Sequence, residues 1–188
     1  MEYSFKFIVI YLVLQLILTL AAYFYYNSYI KKMYLKNNKL PYITGFSQFI
    51  VFLSHGIVLY IPYYLYEPWS FKGFVNTHCI IGIILGSFSL IIVIGGFINL
   101  GIFSKTMGIE PGRLRTKGLY RISRNPQLTG YCLLLISCAF IWPSWYIILS
   151  IISFVIIGHR MVLTEEIHLR NVFGKDYEKY LNSTRRYL

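Results

Sequence analysis

The stretch that organises the chain is Lys117–Gly130, with the sequence KGLYRISRNPQLTG. It is basic and rich in turn-forming residues, and it runs directly into an apolar segment that begins at Pro126. Proline suits the first position of a helix, and Asn125 before it is a suitable N-cap. The free amide groups at such a helix start, together with Arg121 and Arg124, would attract an anion. The stretch therefore predicts a loop-to-helix junction that can bind a negatively charged group.

The composition of the whole chain is that of a membrane protein. Of the 188 residues, 56% are hydrophobic and only 13% are charged, and the mean hydropathy is +0.56. The formal net charge of +11 comes from short basic blocks between apolar runs. That pattern is typical of a protein held at an anionic cytoplasmic leaflet, so we expect membrane lipid and no nucleic acid as a partner. Cys79, Cys132 and Cys138 lie in apolar segments without a C-x-x-C pair, which predicts reduced thiols.

Five apolar runs predict five transmembrane helices. They cover residues 7–26, 42–66, 74–103, 126–142 and 145 to about 163. The last two form a helical hairpin about Trp142-Pro143, and the fifth helix continues out of the membrane until Gly174 stops it, before a C-terminal helix. The predicted fold is an all-α integral membrane protein with one domain. Residues 1–103 supply three transmembrane helices, and residues 104–188 supply the catalytic loop, the hairpin and the C-terminal helix.

The basic residues also predict an orientation. Most of the 18 lysines and arginines follow the first run, the third run or the fifth run. With five spans, these three regions lie on the same side of the membrane. The positive-inside rule then places the N-terminus outside, and the C-terminus and the active site in the cytoplasm.

The equal lengths of the two hairpin arms predict which segment lies beside the junction. Pro126 and Arg160 are each roughly 24–26 Å from the Trp142-Pro143 turn at the rise of an α-helix. Antiparallel arms therefore bring Arg124-Asn125-Pro126 beside the segment from Arg160 to Glu166. The carboxylates of Glu165 and Glu166 facing a basic helix start would suit a zwitterionic ligand. The alternative is that these arginines and glutamates pair with one another as interfacial anchors.

At these residues the chain resembles a known family. The motifs are Gly118-Leu-Tyr120, Arg124-Asn-Pro126 and Gly130, followed by Glu165-Glu166, Leu169, Phe173-Gly174, Tyr177 and Tyr180. Together they resemble the isoprenylcysteine carboxyl methyltransferase family, which is related to phospholipid N-methyltransferases. The resemblance covers about residues 100–186.

The resemblance implies a membrane methyltransferase that uses S-adenosylmethionine without a Rossmann domain. Its acceptor would be a lipophilic small molecule, either an isoprenylcysteine-like carboxylate or a lipid amine. Glu165 or Glu166 is then a candidate proton acceptor for an amine, and Arg160 or Arg124 would position a carboxylate. Motif position implies a cofactor site formed by Gly112, Arg113, Leu114, Arg115, Tyr120, Asn125, Pro126, Gln127, Leu128 and Glu165.

Three positions depart from the family pattern. Asn125 stands where the family often has histidine, and Leu128 stands where it often has tyrosine. Met161 stands where the prenylcysteine enzymes have an arginine that meets the substrate carboxylate, so that a carboxylate acceptor is less supported here.

Two other functions remain open from the sequence. NADPH-dependent sterol-type membrane reductases have a C-terminal region similar to the same motifs, and a non-enzymatic membrane scaffold could retain them. Glu165-x-x-His168 has the spacing of half a di-metal site, but it occurs once, and we predict no metal.

Overall fold

The computed structural model of the protein describes residues 2–37, 41–44, 46–48, 50–51, 77–100, 113–141, 143 and 145–188. The helices in these ranges are α1 (Glu2–Phe24), a π-helix (Tyr25–Ile30), α2 (Lys31–Asn37), α3 (Thr77–Leu100), a 3-10 helix (Gly118–Arg121), α4 (Pro126–Ile141) and α5 (Trp145–Ser183). The described residues contain no β-strand, and their only β-type pairing is an isolated parallel bridge between Ser123 and Arg185. The predicted all-α class is confirmed.

The helices are also those of an integral membrane protein. Among the described residues, three helices are long and apolar enough to cross a membrane, over Val9–Asn37, Thr77–Asn99 and Trp145–Ser183. The 16 residues of α4 span about 24 Å, which is shorter than a hydrocarbon core of about 30 Å. The predicted second span lies mostly outside the described residues, and of it residues 42–44, 46–48, 50 and 51 are helical.

Small residues join α3 to α4. A Cβ atom on Gly82 would lie 2.6 Å from Ile141 Cγ1 and 2.9 Å from the Ser137 carbonyl oxygen. A Cβ atom on Gly130 would lie 2.8 Å from Val93 Cγ2. Only glycine permits such close approach, and in lipid close approach is the main source of helix association. The glycines therefore set the depth and angle at which α4 meets α3.

Polar side chains join α1 to α5 within their apolar sequences. The Tyr11 hydroxyl lies 3.3 Å from Ser150 Oγ, and Thr19 Oγ1 lies 2.6 Å from Ser153 Oγ. Hydrogen bonds between helices of this kind fix their register in a membrane. Further along both helices, Thr164 Oγ1 donates to the Tyr26 carbonyl at 3.2 Å. These contacts hold the π-helix against the part of α5 that carries the acidic pair.

Gly174 divides α5 into two helical parts. Its φ of 50° and ψ of −122° are non-helical, and the positive φ favours glycine. The predicted helix stop at Gly174 is confirmed, since helix 145–173 ends there and a second helical part covers residues 175–183. After Ser183 the chain returns to the loop-to-helix junction, where Arg185 pairs with Ser123.

Candidate active site

The loop-to-helix junction is fixed against the end of α3. Gly118 has a φ of 63°, and a Cβ atom there would lie 2.6 Å from Asn99 Oδ1. Asn99 is itself held by a hydrogen bond from its Nδ2 to the Gly95 carbonyl at 2.8 Å. A residue other than glycine would therefore be strained at position 118 and would also collide with Asn99. The requirement explains the glycine that begins the 3-10 helix.

Tyr120 is the buried centre of the junction. Its hydroxyl accepts a hydrogen bond from Gln127 Nε2 at 2.5 Å, and its carbonyl accepts one from the Tyr180 hydroxyl at 2.5 Å. Burial raises the pKa of Tyr120 above its usual value, the Gln127 hydrogen bond opposes that shift, and the nearby negative charge of Glu165 adds to it. Tyr120 is therefore a neutral phenol at physiological pH. The hydrogen bond between Gln127 and Tyr120 joins two of the predicted cofactor residues.

Glu166 is bound by two arginines. Its Oε1 accepts from Arg124 Nη1 at 2.9 Å and from Arg186 Nε at 2.8 Å, and its Oε2 accepts from Arg186 Nη2 at 2.9 Å. The side chains of Glu166 and Arg124 are 6% and 10% exposed, whereas that of Arg186 is 36% exposed. The predicted meeting of the Arg124 end of α4 with the acidic pair is confirmed. For Glu166 the meeting takes the form of the alternative considered above, an ion pair between protein side chains.

The C-terminal residues complete the junction from the other side. The Arg124 amide donates to the Arg185 carbonyl at 2.9 Å. The Arg186 carbonyl accepts from Asn125 Nδ2 at 3.0 Å and from Ser123 Oγ at 3.5 Å. The Asn125 side chain, expected to cap α4 and to contact the cofactor, thus donates to the chain's own C-terminal backbone.

Arg186 is a site residue that the sequence did not reveal. Its pKa is raised above the usual arginine value, chiefly by its hydrogen bond to Glu166. It lies 60 residues or more from the junction along the chain, so periodicity and spacing could not connect the two. The only sequence signal is the basic doublet Arg185-Arg186 next to the end of the chain.

Glu165 has surroundings unlike those of its neighbour. Among the described residues, no hydrogen bond or ion pair reaches its partly buried carboxylate. Four tyrosine side chains lie within electrostatic range of it, namely Tyr26, Tyr34, Tyr120 and Tyr177. A carboxylate among aromatic rings is a favourable environment for an organic cation, because charge attraction and cation–π contacts act together.

The remaining predicted site residues are more scattered. Arg160 donates to Asn27 Oδ1, and its guanidinium lies 5.6 Å from the centre of the Tyr23 ring, so it faces α1 and its π-helix. Pro126 is the buried first residue of α4, and Leu128 approaches Gly158 of α5. Arg113 and Arg115 are exposed, Leu114 is partly buried, and Gly112 lies outside the described residues.

His168, considered above for half a metal site, packs against an aromatic ring. It is 3% exposed, and its ring is stacked on Tyr34 with 4.2 Å between centroids. This contact joins α5 to α2 directly behind the acidic pair.

Comparison with known proteins gives one family. Residues 77–176 match the family model described as phospholipid methyltransferase. The matched range begins at the first residue of α3 and ends shortly after Gly174, and so includes both the junction and the acidic pair. Searches of curated proteins and of solved structures gave no match.

Proposed function

The chain belongs to the phospholipid methyltransferase family, and we propose on that premise that it transfers a methyl group from S-adenosylmethionine to a lipid amine at the cytoplasmic face of the membrane. The observation that carries the proposal is the pair of contrasting glutamates. Glu166 is neutralised by Arg124 and Arg186, whereas Glu165 has no bonded cation among the described residues and lies within electrostatic range of four tyrosines. The site thus offers one carboxylate to a cationic ligand.

The side chains present fit S-adenosylmethionine. When bound, the cofactor supplies an electrophilic methyl group on a positively charged sulfur. Glu165 would hold a positive group of the cofactor, and the Tyr120 ring would add a cation–π contact. The amides of Gln127 and Leu128 precede the first bond within α4, from the Thr129 amide to the Asn125 carbonyl at 3.1 Å. Such free amides at a helix start suit the cofactor carboxylate.

An amine acceptor is favoured over a carboxylate acceptor. Of the two arginines considered for a substrate carboxylate, Arg124 is neutralised by Glu166, and Arg160 faces α1, where it bonds to the neutral Asn27 side chain. An amine must be unprotonated to attack the methyl group, and Glu165 is the carboxylate available to take its proton. The nearby Tyr120 and Tyr34 side chains are buried, so an amine bound beside them would react without a full hydration shell.

The first test measures cofactor binding in detergent. We expect S-adenosylhomocysteine, and not NADP, to raise the unfolding temperature of the wild-type protein. Glu165→Gln keeps the shape and removes the charge, so it should weaken that binding at least about tenfold, as expected for the loss of one charge-assisted contact. Glu178→Gln is the matched control, because Glu178 is 57% exposed on the same helix and pairs only with Arg170 at the surface.

Four results would contradict the proposal at different levels. Stabilisation by NADP alone would favour the reductase, and stabilisation by neither ligand would favour a scaffold. Wild-type affinity in Glu165→Gln would reject the role of this carboxylate while leaving methyl transfer intact. For the acceptor, mass spectrometry of reaction mixtures should find one added methyl on an amine-headgroup phospholipid, and addition to a prenylcysteine carboxylate instead would exclude the lipid amine.

A further inference from the structure

The last five residues of the chain, Thr184–Leu188, form a strap across the loop-to-helix junction. They lie beyond the range that the family model matches, which ends at residue 176. The strap accepts hydrogen bonds from Ser123, Arg124 and Asn125 through two successive carbonyl groups, those of Arg185 and Arg186. Three consecutive residues before α4 are therefore held by the end of the chain.

Arg186 adds a side-chain bond on the other side of the same junction. Its Nε and Nη2 atoms contact the two oxygens of Glu166 at 2.8 and 2.9 Å. This two-point geometry fixes the orientation of the carboxylate, which a single charge could not do. Glu166 Oε1 also accepts from Arg124 at 2.9 Å, so one carboxylate connects α5, the strap and the start of α4.

The arrangement has a consequence for the neighbouring glutamate. Successive residues of a helix are turned by about 100°, so fixing Glu166 also fixes the direction in which Glu165 leaves α5. The same contacts fix the first amides of α4 through Arg124 and Asn125. The two groups proposed to hold opposite charges of the cofactor are thus held at a set separation by Arg186.

We propose that Arg186 is a positioning residue of the methyl transfer, which holds the start of α4 at the separation from Glu165 that S-adenosylmethionine requires. The inference rests on the proposed function. Arg186 acts through Glu166 and the junction, and it does not touch the reacting atoms. The strap has a separate attachment, since the Tyr187 hydroxyl lies 2.9 Å from His159 Nδ1, so the strap can remain docked when the Arg186 side chain is changed.

The test separates cofactor binding from turnover. Arg186→Gln should raise KM for S-adenosylmethionine about tenfold, which corresponds to one charge-assisted interaction. The acceptor KM and the kcat at saturating cofactor should stay within about threefold of wild type. Arg186→Lys retains the charge without the two-point geometry, and it should recover part of the loss. Lys179→Gln removes the same charge from an exposed position of α5 and should match wild type.

A second readout does not depend on activity. Hydrogen exchange of the 118–130 segment should be faster in Arg186→Gln than in wild type, because a strap that stays docked without its bonds to Glu166 opens more often and exposes the Arg124 amide that bonds to it. Proportional loss of kcat with unchanged KM would show mere loss of folded enzyme and would overturn the inference. Wild-type KM and exchange in Arg186→Gln would overturn it as well. If Arg186→Gln does not fold, a wild-type KM in Arg186→Lys would overturn the inference in its place.

The same experiments distinguish the inference from the function on which it rests. A wild-type protein that binds no S-adenosylhomocysteine rejects the proposed function, and with it the positioning role. A wild-type protein that binds it, beside an Arg186→Gln variant of equal affinity, rejects only the positioning role.

Discussion

Two adjacent glutamates of α5 have opposite surroundings at the residue scale. Glu166 is 6% exposed and accepts bonds from two arginines. Glu165 lies within electrostatic range of Tyr120 and Tyr177 and, among the described residues, has no bonded cation. Breaking a buried ion pair leaves an uncompensated charge, whereas removing a carboxylate that has no bonded cation does not. The two positions should therefore differ in what they do for stability and for binding.

We expect Glu166→Ala to destabilise the protein much more than Glu165→Ala does. The loss should approach about 3–5 kcal/mol, because Arg124 stays buried without its partner. Unfolding temperatures in detergent without ligand give the comparison, with S-adenosylhomocysteine binding measured in parallel. Glu165→Ala should show the reverse profile, near-normal stability with weak binding. Equal destabilisation by both variants would refute the division between them.

Tyr120 gives a pH dependence with a defined sign. Burial raises its pKa in the folded protein above the usual value, which is about 10. Above pH 10 the unfolded chain therefore loses a proton that the folded chain keeps, and stability falls as pH rises. Tyr120→Phe should make unfolding temperature fall less steeply between pH 10 and 11. Tyr42→Phe, at a tyrosine that is 70% exposed, is the control, and an unchanged slope in Tyr120→Phe would be the contrary result.

Particular residues show how far the sequence could predict the site. Helix rise and equal arm lengths brought Arg124 to Glu166, because Glu166 lies on α5 and Arg124 lies only two residues before the start of α4. The direction of Arg160 towards Asn27 depends on where α1 packs, which no local pattern records. Arg186 depends on a return of the chain after Gly174. Contacts within one hairpin could thus be predicted from the sequence, and contacts between distant segments could not.

At the scale of the helices, the close packing of α3 on α4 is the feature that can be tested. We expect Gly82→Ala to cost about 1–3 kcal/mol, since overpacking forces backbone shifts. The added Cβ would lie 2.9 Å from the Ser137 carbonyl oxygen, which cannot move independently of α4. Ser87→Ala on the exposed face of α3 should be nearly neutral, because Ser87 Oγ bonds only to the Ile83 carbonyl of its own helix. Thermal unfolding of both variants tests this expectation. Equal stability of Gly82→Ala and Ser87→Ala would mean that α3 and α4 move apart at little cost.

The helix types were more predictable than their irregularities. Long apolar runs predicted α1, α3 and α5, because crossing a membrane demands length and apolarity. The π-helix at Tyr25–Ile30 was not predicted. It lies within a continuous helical segment, at the point where the Tyr26 carbonyl accepts a hydrogen bond from Thr164 of α5, a contact that no local pattern records. Gly174 was predicted as a stop, but the return of the chain after it was not.

At the scale of the whole molecule, the basic blocks predict a topology that can be tested directly. We expect an N-terminus outside and a C-terminus in the cytoplasm, because the junction and strap are rich in arginine. Alkaline phosphatase, which is active only outside the cytoplasm, should be inactive when fused after Leu188 and active when fused before Met1. Activity at both ends, or at neither, would require an even number of spans.

The break at Gly174 also makes the chain sensitive to its own length. Between Gly174 and Arg186 the backbone passes through helix 175–183 before it reaches Glu166. Removing one codon from that interval would turn everything after it by about 100° and draw it back by about 1.5 Å. The Arg186 guanidinium would then no longer reach the Glu166 carboxylate, although every residue of the junction would still be present. In-frame deletions over 175–183 should therefore be tolerated far less than substitutions at the exposed positions of the same helix.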